Sequence, residues 1–215
     1  MKRKVDYDLY LQRSGKGQRR EAMDFRDYRE LIAKARSLRR YDQSRHISDG
    51  ELRDLVELAR FCPSATNQQK LKFKAVNDEE ACRKVFESIV FAAALGKAGT
   101  PEPAERPSAY IVFFNDASIG PCKHEDVGIC AEAILLGANV MGYSGCMLQN
   151  IRKDRLKSAC GIDRDELEPV LVLALGKGIE TVIIEDMEAG GSTAYYRDEE
   201  KAHHVPKRKL EDIML

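Results

Sequence analysis

One segment of this chain is so apolar that it has to lie at the centre of the fold. Between residues 125 and 141 almost every position carries Ala, Leu, Ile, Val or another small or apolar side chain. A surface helix has one apolar stripe only, so this segment predicts a helix buried on most of its sides. No apolar run reaches the about 20 residues that would span a bilayer, so we expect no membrane partner.

Composition narrows the classes of protein that the chain could be. Its 215 residues, 43% of them apolar, suffice for one core, and 35 Lys and Arg balance 35 Asp and Glu. With no net charge, we expect no nucleic-acid partner. The basic segment 1–22 lacks the apolar core of a secretory signal, so we expect a cytoplasmic protein. We predict an N-terminal arm over 1–22, disordered or touching a partner, and one domain with an extended C-terminal tail over 23–215.

Apolar periodicity predicts an interleaved set of helices and strands. Helical spacing is found over 24–36, 49–61, 78–95, 125–141 and 152–159. A capping box of Ser48 and Glu51 marks the start of the second helix. Asn77 is a candidate N-cap of the third helix. Strands are predicted at 70–76, 109–114 and 169–175, with an edge strand at 181–184, and loops at 96–107 and 186–206. No βαβ unit repeats, so the fold class is α+β.

Two basic clusters are candidates for binding an anion. Arg36, Arg39 and Arg40 surround Ser37 just after the first helix, and guanidinium groups bind phosphate oxygens in bidentate fashion. Taken alone, such a cluster is more often a solvated helix end. A second cluster, residues 206–209, lies near the C-terminus and contains Lys207 and Arg208.

Two further segments could face a planar ligand. The loop 63–69 offers hydroxyl and amide groups, which suit the edge of a heterocycle with alternating N–H and C=O groups. The turn 142–146, with two glycines, would let the backbone approach a ligand closely, although glycines at a helix end are also ordinary cap and turn residues.

The six cysteines contain no Cys-x-x-Cys pair and the adjacent His203 and His204 have no further ligands nearby in sequence, so we predict no metal site.

With these four segments in this order, residues 24–215 resemble the nitroreductase superfamily. Residues 36–41 are similar to its Arg-Arg-Ser-x-Arg-x-aromatic segment, with Ala35 in place of the first Arg, and 63–69 to its Pro-Ser-x-x-Asn-x-Gln loop, followed here by Lys70-Leu71 instead of Pro-Trp. Residues 126–146 resemble its dimer helix and Gly-rich turn, and 205–213 its C-terminal segment. The cofactor-binding residues that the resemblance implies are Arg36, Ser37, Arg39, Pro63, Ser64, Asn67, Gln69, Ser144, Gly145, Lys207 and Arg208.

The resemblance implies a fold and an activity. The fold is a three-layer α+β arrangement with a central, mostly antiparallel sheet flanked by helices, in a homodimer with FMN at the subunit interface. The activity is ping-pong transfer of hydride from NADH or NADPH through FMN to an electron-poor nitroaromatic or quinone. The reaction occurs at N5 of FMN, so no catalytic side chain is expected. Three alternatives stay open: a specialised FMN enzyme of the same fold, a non-catalytic flavin-binding protein, and an anion or nucleotide binder without flavin.

Overall fold

The structure is a computed structural model that describes residues 23–91 and 99–215. The chain divides into two units, Met1–Glu30 and Leu31–Leu215. Of the first unit, residues 23–30 are described; they contain the start of helix α1 (Phe25–Lys34), where the Asp24 carboxylate accepts a hydrogen bond from the Asp27 N–H at 2.8 Å. The arm predicted over 1–22 lies outside the described residues.

Five antiparallel strands form the main sheet of the second unit. Strand β5 (Leu167–Gly178) pairs with β3 (Ala109–Asp116), which pairs in turn with β2 (Leu71–Val76). On its other side β5 pairs with β1 (Tyr41–Asp42) and with β4 (Ser144–Leu148). Strand β3 is buried at every position, which is why residues 109–114 are apolar without alternation.

Helices cover both faces of this sheet and give it two cores. On one face, α2 (Asp49–Phe61) and α4 (His124–Val140) pack on side chains such as Ile111 and Phe113. On the other face, α3 (Glu79–Phe86) and α5 (Lys153–Ala159) pack on Val112 and its neighbours. The predicted three-layer α+β fold is therefore confirmed. Both halves of the predicted capping box of α2 are formed.

A second, three-stranded sheet contains the predicted edge strand and two strands in the region that the sequence predicted to be a loop. Strand β8 (His203–Lys207) pairs in parallel with β6 (Val182–Asp186) and antiparallel with β7 (Tyr196–Arg197). The prediction of a loop over 186–206 was wrong for β7 and β8. Strand β7 has two residues and β8 contains a proline, so neither has a local pattern that marks a strand.

The third helix is shorter than predicted. It ends at Phe86, and its N-cap is Asp78 rather than Asn77. The predicted continuation was wrong over 87–91, because Ile89 pairs with Ile151 in a β-bridge and Phe91 is buried in the second core. Tertiary packing outweighs helix propensity there. The rest of that prediction, 92–95, lies outside the described residues.

Helix α4 is less enclosed than its composition predicted. Seven of its residues are buried, but Ile129 is 42% exposed and Val140 is 68% exposed. Eleven residues separate these two positions, which is close to three helical turns, so they lie on one face of the helix. That face also carries the half-buried Ala133 and Leu136. None of the described helices is long and apolar enough to span a membrane.

Candidate functional site

The basic segment after α1 lies against strand β4. Ser37 forms a parallel β-bridge with Gly145, and the Leu38 N–H donates to the Gly145 carbonyl oxygen at 3.0 Å. A Cβ atom on Gly145 would come within 2.5 Å of Leu135 Cδ2, so glycine is required for this close packing. Two of the predicted binding segments, 36–41 and 142–146, therefore meet in one place.

A buried carboxylate holds the basic segment in its conformation. Glu180, whose side chain is 4% exposed, accepts hydrogen bonds from the backbone N–H groups of Arg39 and, at 3.1 Å, Arg40. It also forms an ion pair with Arg197 of β7. Sequence reasoning missed Glu180 and Arg197. The only signal for Glu180 was an acidic residue shortly after the apolar strand β5, and nothing marked Arg197.

Four buried nitrogen atoms in this region have no hydrogen-bond partner among the residues that the structure describes. The Arg39 guanidinium lies over the Tyr195 ring, and the Tyr195 ring is 5.2 Å from that of His203. Burial, followed by the charge of Arg39, lowers the pKa of His203. Because buried donors without partners are costly, these groups are suited to an added acceptor. The unpartnered atoms are Nε of Arg36, Arg39 and Arg197 and Nδ1 of His203.

Three guanidinium groups lie close together in this cluster. Arg40 is paired with Glu105 at 2.5 Å and lies 3.9 Å from Glu180, which also pairs with Arg197. Burial lowers the pKa of Arg197, and the charges of Arg40 and Arg39 act in the same direction. Phosphate oxygens accept well from guanidinium donors. The site is therefore suited to bind an anion.

Cys146 lies beside the same segment but is not a reactive thiol. It is 1% exposed, and burial raises the pKa of its thiol, so the thiol stays protonated at neutral pH. Ser144 lies next to Gly178, where an added Cβ would be 3.0 Å from the Ser144 hydroxyl oxygen. The prediction of a turn was wrong over 144–146, because these residues belong to β4, and this strand brings a hydroxyl, a glycine and a neutral thiol to the edge of the basic cluster.

The loop 63–69 has a strained backbone. Thr66, Asn67 and Gln69 have positive φ angles of 51°, 55° and 49°. Such conformations cost about 1–3 kcal/mol each for residues other than glycine, and they persist where the surrounding structure imposes them. The loop is fixed by Asp126, whose carboxylate accepts a hydrogen bond from the Ala65 N–H at 2.8 Å. Pro63, Asn67 and Gln69 are exposed and Ser64 is half-buried.

Within one chain this loop is far from the basic segment. Asp126 lies at the start of α4, whereas Gly145 follows its other end. At 1.5 Å per residue the helix separates the two ends by about 20 Å. The structure therefore does not bring the loop 63–69 together with Arg36 and Ser37.

The C-terminal cations are also not at the cluster. Lys207 ends β8 and is exposed together with Arg208, whereas His203, at the start of that strand, lies beside Arg39. Four residues of strand correspond to about 13 Å. In this chain His203 and Arg197 contribute to the cluster, and Lys207 and Arg208 lie at the far end of the strand.

These features define a class of protein: an α+β fold whose antiparallel sheet carries a basic, candidate anion-binding site at its edge. No cluster of three potential metal ligands occurs in the described ranges. A family model for the nitroreductase family matches residues 32–177, which is more than half of the chain. The chain belongs to the nitroreductase family.

Known proteins similar to the chain agree with this assignment. The Bacillus subtilis protein YdgI, which carries a provisional name as an NAD(P)H nitroreductase, is 22% identical over 72% of this chain and 90% of its own length. Among solved structures, an FMN complex of a provisionally named nitroreductase from Exiguobacterium sibiricum has a TM-score of 0.60 at 22% identity, covering 75% of this chain and 91% of that one. A similar FMN complex from Desulfovibrio desulfuricans has a TM-score of 0.60 at 21% identity, covering 86% of this chain and 94% of that one.

Proposed function

We propose that this protein is an FMN-dependent oxidoreductase that uses NADH or NADPH as donor and an electron-poor nitroaromatic or quinone as acceptor. The observation that carries the proposal is the set of four unpartnered buried nitrogen atoms at Arg36, Arg39, Arg197 and His203. Membership of the nitroreductase family and the FMN complexes of two similar structures support FMN as the anion.

The residues present fit the phosphate of FMN. The guanidinium groups of Arg36 and Arg39 and the hydroxyl of Ser37 would bind it, since each charge-assisted hydrogen bond contributes about 1.5–3 kcal/mol. Arg197 and His203 would add donors that the sequence pattern did not indicate. Glu180 would act indirectly, by holding the backbone of Arg39 and the guanidinium of Arg197 in place.

The opposite positions of the two binding segments favour a site shared between two chains. A two-fold axis beside α4 would bring the loop 63–69 of one chain to the basic segment of the other. The half-exposed apolar face of α4, with Ile129 and Val140 at its ends, would be the contact surface of such a dimer. Pro63, Ser64, Asn67 and Gln69 would then contact the flavin ring or its ribityl chain across the interface.

FMN would supply the hydride and electron chemistry, and the protein would supply binding and orientation. The amide groups of Asn67 and Gln69 carry donors and acceptors that match the polar edge of the flavin ring. The backbone of Ser144 and Gly145 would lie against the flavin. Lys207 and Arg208, exposed at the end of β8, would contact the phosphate only if the C-terminal segment moved or if they came from the second chain.

The first experiment is the visible absorbance spectrum of the purified protein, followed by release and identification of the flavin. We expect about one FMN per chain, and anaerobic bleaching of its absorbance by NADH or NADPH followed by recovery on adding a quinone. A colourless protein that does not take up added FMN would refute the cofactor. A bound flavin that neither nucleotide reduces would instead show a non-catalytic flavin-binding protein.

A further inference from the structure

Two thiols face each other where α2 packs against α4. The Sγ atom of Cys62, the C-cap residue of α2, lies 3.9 Å from the carbonyl oxygen of Ile129, which directly precedes Cys130. The Sγ atom of Cys130 lies 3.9 Å from the carbonyl oxygen of Ala59, in the last turn of α2. Each sulfur atom therefore reaches the backbone of the other helix beside the second cysteine. Both cysteines are free in this structure.

The close packing of the two helices fixes this contact. A Cβ atom on Gly137 would lie 2.2 Å from Leu58 Cδ1 and 3.3 Å from Leu55 Cδ2, so α4 approaches α2 closely at this glycine. Cys130 precedes Gly137 by seven residues, which is about two helical turns. Cys62 follows Leu55 by the same number of residues. The helices therefore run antiparallel, and the two cysteines meet about two turns further along the same contact.

The surroundings of the two thiols give them different roles. Cys62 is half-buried, whereas Cys130 is 6% exposed. Burial raises the pKa of the Cys62 thiol, and a hydrogen bond donated by Cys130 acts in the opposite direction. Burial, followed by the charge of Cys62, raises the pKa of the Cys130 thiol to about 12. Cys62 is thus the thiol that a reagent reaches first and that loses its proton more readily.

The pair lies at the start of the strained loop 63–69. Cys62 directly precedes Pro63, and the Asp126 carboxylate of α4 already accepts a hydrogen bond from the Ala65 N–H at 2.8 Å. A covalent bond between Cys62 and Cys130 would add a second connection between this loop and α4. The bond would join positions that already touch, so the helices would not have to move apart or turn.

We propose that Cys62 and Cys130 are a redox modification site, at which a reversible disulfide forms within one chain between α2 and α4. The oxidant is a low-molecular-weight disulfide such as oxidised glutathione. The proposal does not depend on FMN, so it and the proposed function fail separately.

The reaction is a pair of thiol–disulfide exchanges. The Cys62 thiolate attacks one sulfur atom of oxidised glutathione, which forms a mixed disulfide and releases one glutathione thiolate. The Cys130 thiol then loses its proton, and its sulfur attacks the Cys62 sulfur and releases the second glutathione thiolate. Two protein thiols are oxidised to one disulfide, and one glutathione disulfide is reduced to two thiols. No other reactant is needed.

The test treats the purified full-length protein with an excess of oxidised glutathione, followed by alkylation of the remaining thiols. Digestion with trypsin and a glutamate-specific protease separates Cys62, in residues 61–70, from Cys130, in residues 126–132, and neither peptide contains another cysteine. We expect mass spectrometry to find these two peptides joined, and dithiothreitol to separate them. No joined peptide, a bond from Cys62 to another cysteine, or a cross-link between chains on a non-reducing gel would overturn the proposal.

Single substitutions test the order of the two steps. Cys130→Ser should stop the reaction after the first exchange, so glutathione should stay attached to Cys62. Cys62→Ser should leave Cys130 unmodified, because the buried thiol is not reached first. Cys122→Ser, at a cysteine that is also half-buried, should form the disulfide to the same extent as the wild type. A Cys130→Ser protein that is folded but takes up no glutathione at Cys62 would contradict the proposed order.

A measurement on the wild type alone tests whether the native positions suit the bond. The oxidised protein should have a higher thermal unfolding midpoint than the reduced protein, because a cross-link between residues distant in sequence restricts the unfolded chain. A lower midpoint after oxidation would mean that the thiols must leave their native positions to react, and would overturn the proposal.

Discussion

Glu180 and Arg197 form an ion pair in which the two side chains are 4% and 12% exposed. This pair joins the end of the main sheet to the small C-terminal sheet. Because Glu180 also accepts hydrogen bonds from the backbone of Arg39 and Arg40, one carboxylate fixes both the basic segment and β7. The candidate anion site is thus assembled from parts of the chain that are distant in sequence.

We expect Glu180→Gln to destabilise the protein by about 3 kcal/mol, because the substitution leaves Arg197 buried without its counter-charge. Urea unfolding measures the loss. The matched control is Glu105→Gln, which removes a carboxylate from Arg40 where the side chains are 21% and 30% exposed, and should cost about 1 kcal/mol or less. Equal losses in the two variants would argue against a special role for Glu180.

Removing the Arg39 guanidinium should weaken FMN and not riboflavin. A charge-assisted bond to phosphate of about 1.5–3 kcal/mol corresponds to roughly 10- to 100-fold in affinity. Riboflavin lacks the phosphate, so its affinity should not change. Fluorescence titration of Arg39→Ala with both flavins measures this difference. Arg164→Ala, whose guanidinium pairs with Glu166 on the exposed surface at 2.6 Å, should bind FMN as the wild type does. A parallel loss of riboflavin affinity would show general damage to the site.

Charges on the exposed face of α4 should separate a dimer into monomers. We expect the double variant Ile129→Glu, Val140→Glu to remain folded, because both side chains are exposed in the single chain, but to be monomeric and to lose FMN. Light scattering at micromolar concentration gives the mass. Ile183→Glu, at a position on β6 that is 39% exposed, should leave the mass unchanged. A wild-type protein that is itself monomeric would refute the shared site.

His203 and His204 should affect the pH dependence of stability in opposite directions. Asp198, at 3.0 Å, and then Glu185 raise the pKa of His204 above 6.5. Its stabilisation is therefore full below 6.5 and is lost as the pH rises through the folded pKa. Burial lowers the pKa of His203, so protonation in the unfolded state opposes folding as the pH falls below 6.5.

Unfolding free energies at about pH 5.5 and 8 measure these contributions, since histidine titrates between the two values. We expect His204→Gln to lose more stability at the lower pH than at the higher. His203→Gln should show the reverse, with its smallest loss, or a gain, at the lower pH. The same pH profile in both variants would contradict the two opposed shifts.

Much of the main fold follows from local pattern. The apolar residues 109–114 of β3 could be predicted as a strand because a strand covered on both faces has no polar alternation, and α2 could be predicted because Ser48 and Glu51 form the predicted capping box. Helix α3 was predicted too long, since the packing of Phe91 into the second core is not encoded in helical spacing. Strands β7 and β8 were missed because their stability comes from pairing with each other and with β6.

The sequence by itself determined the α+β class, strands β2, β3 and β5 of the main sheet and the candidate binding segments, because burial periodicity and turn chemistry are local properties. It did not predict β1 or β4, whose pairing with β5 is a tertiary contact. Only the tertiary structure decided which charges meet. It placed Glu180, Arg197 and His203 around Arg39, and it separated the loop 63–69 from the basic segment by the length of α4. Ion pairs and unpartnered donors depend on side chains from remote parts of the chain, and their proximity is fixed only when the two sheets and the helices pack.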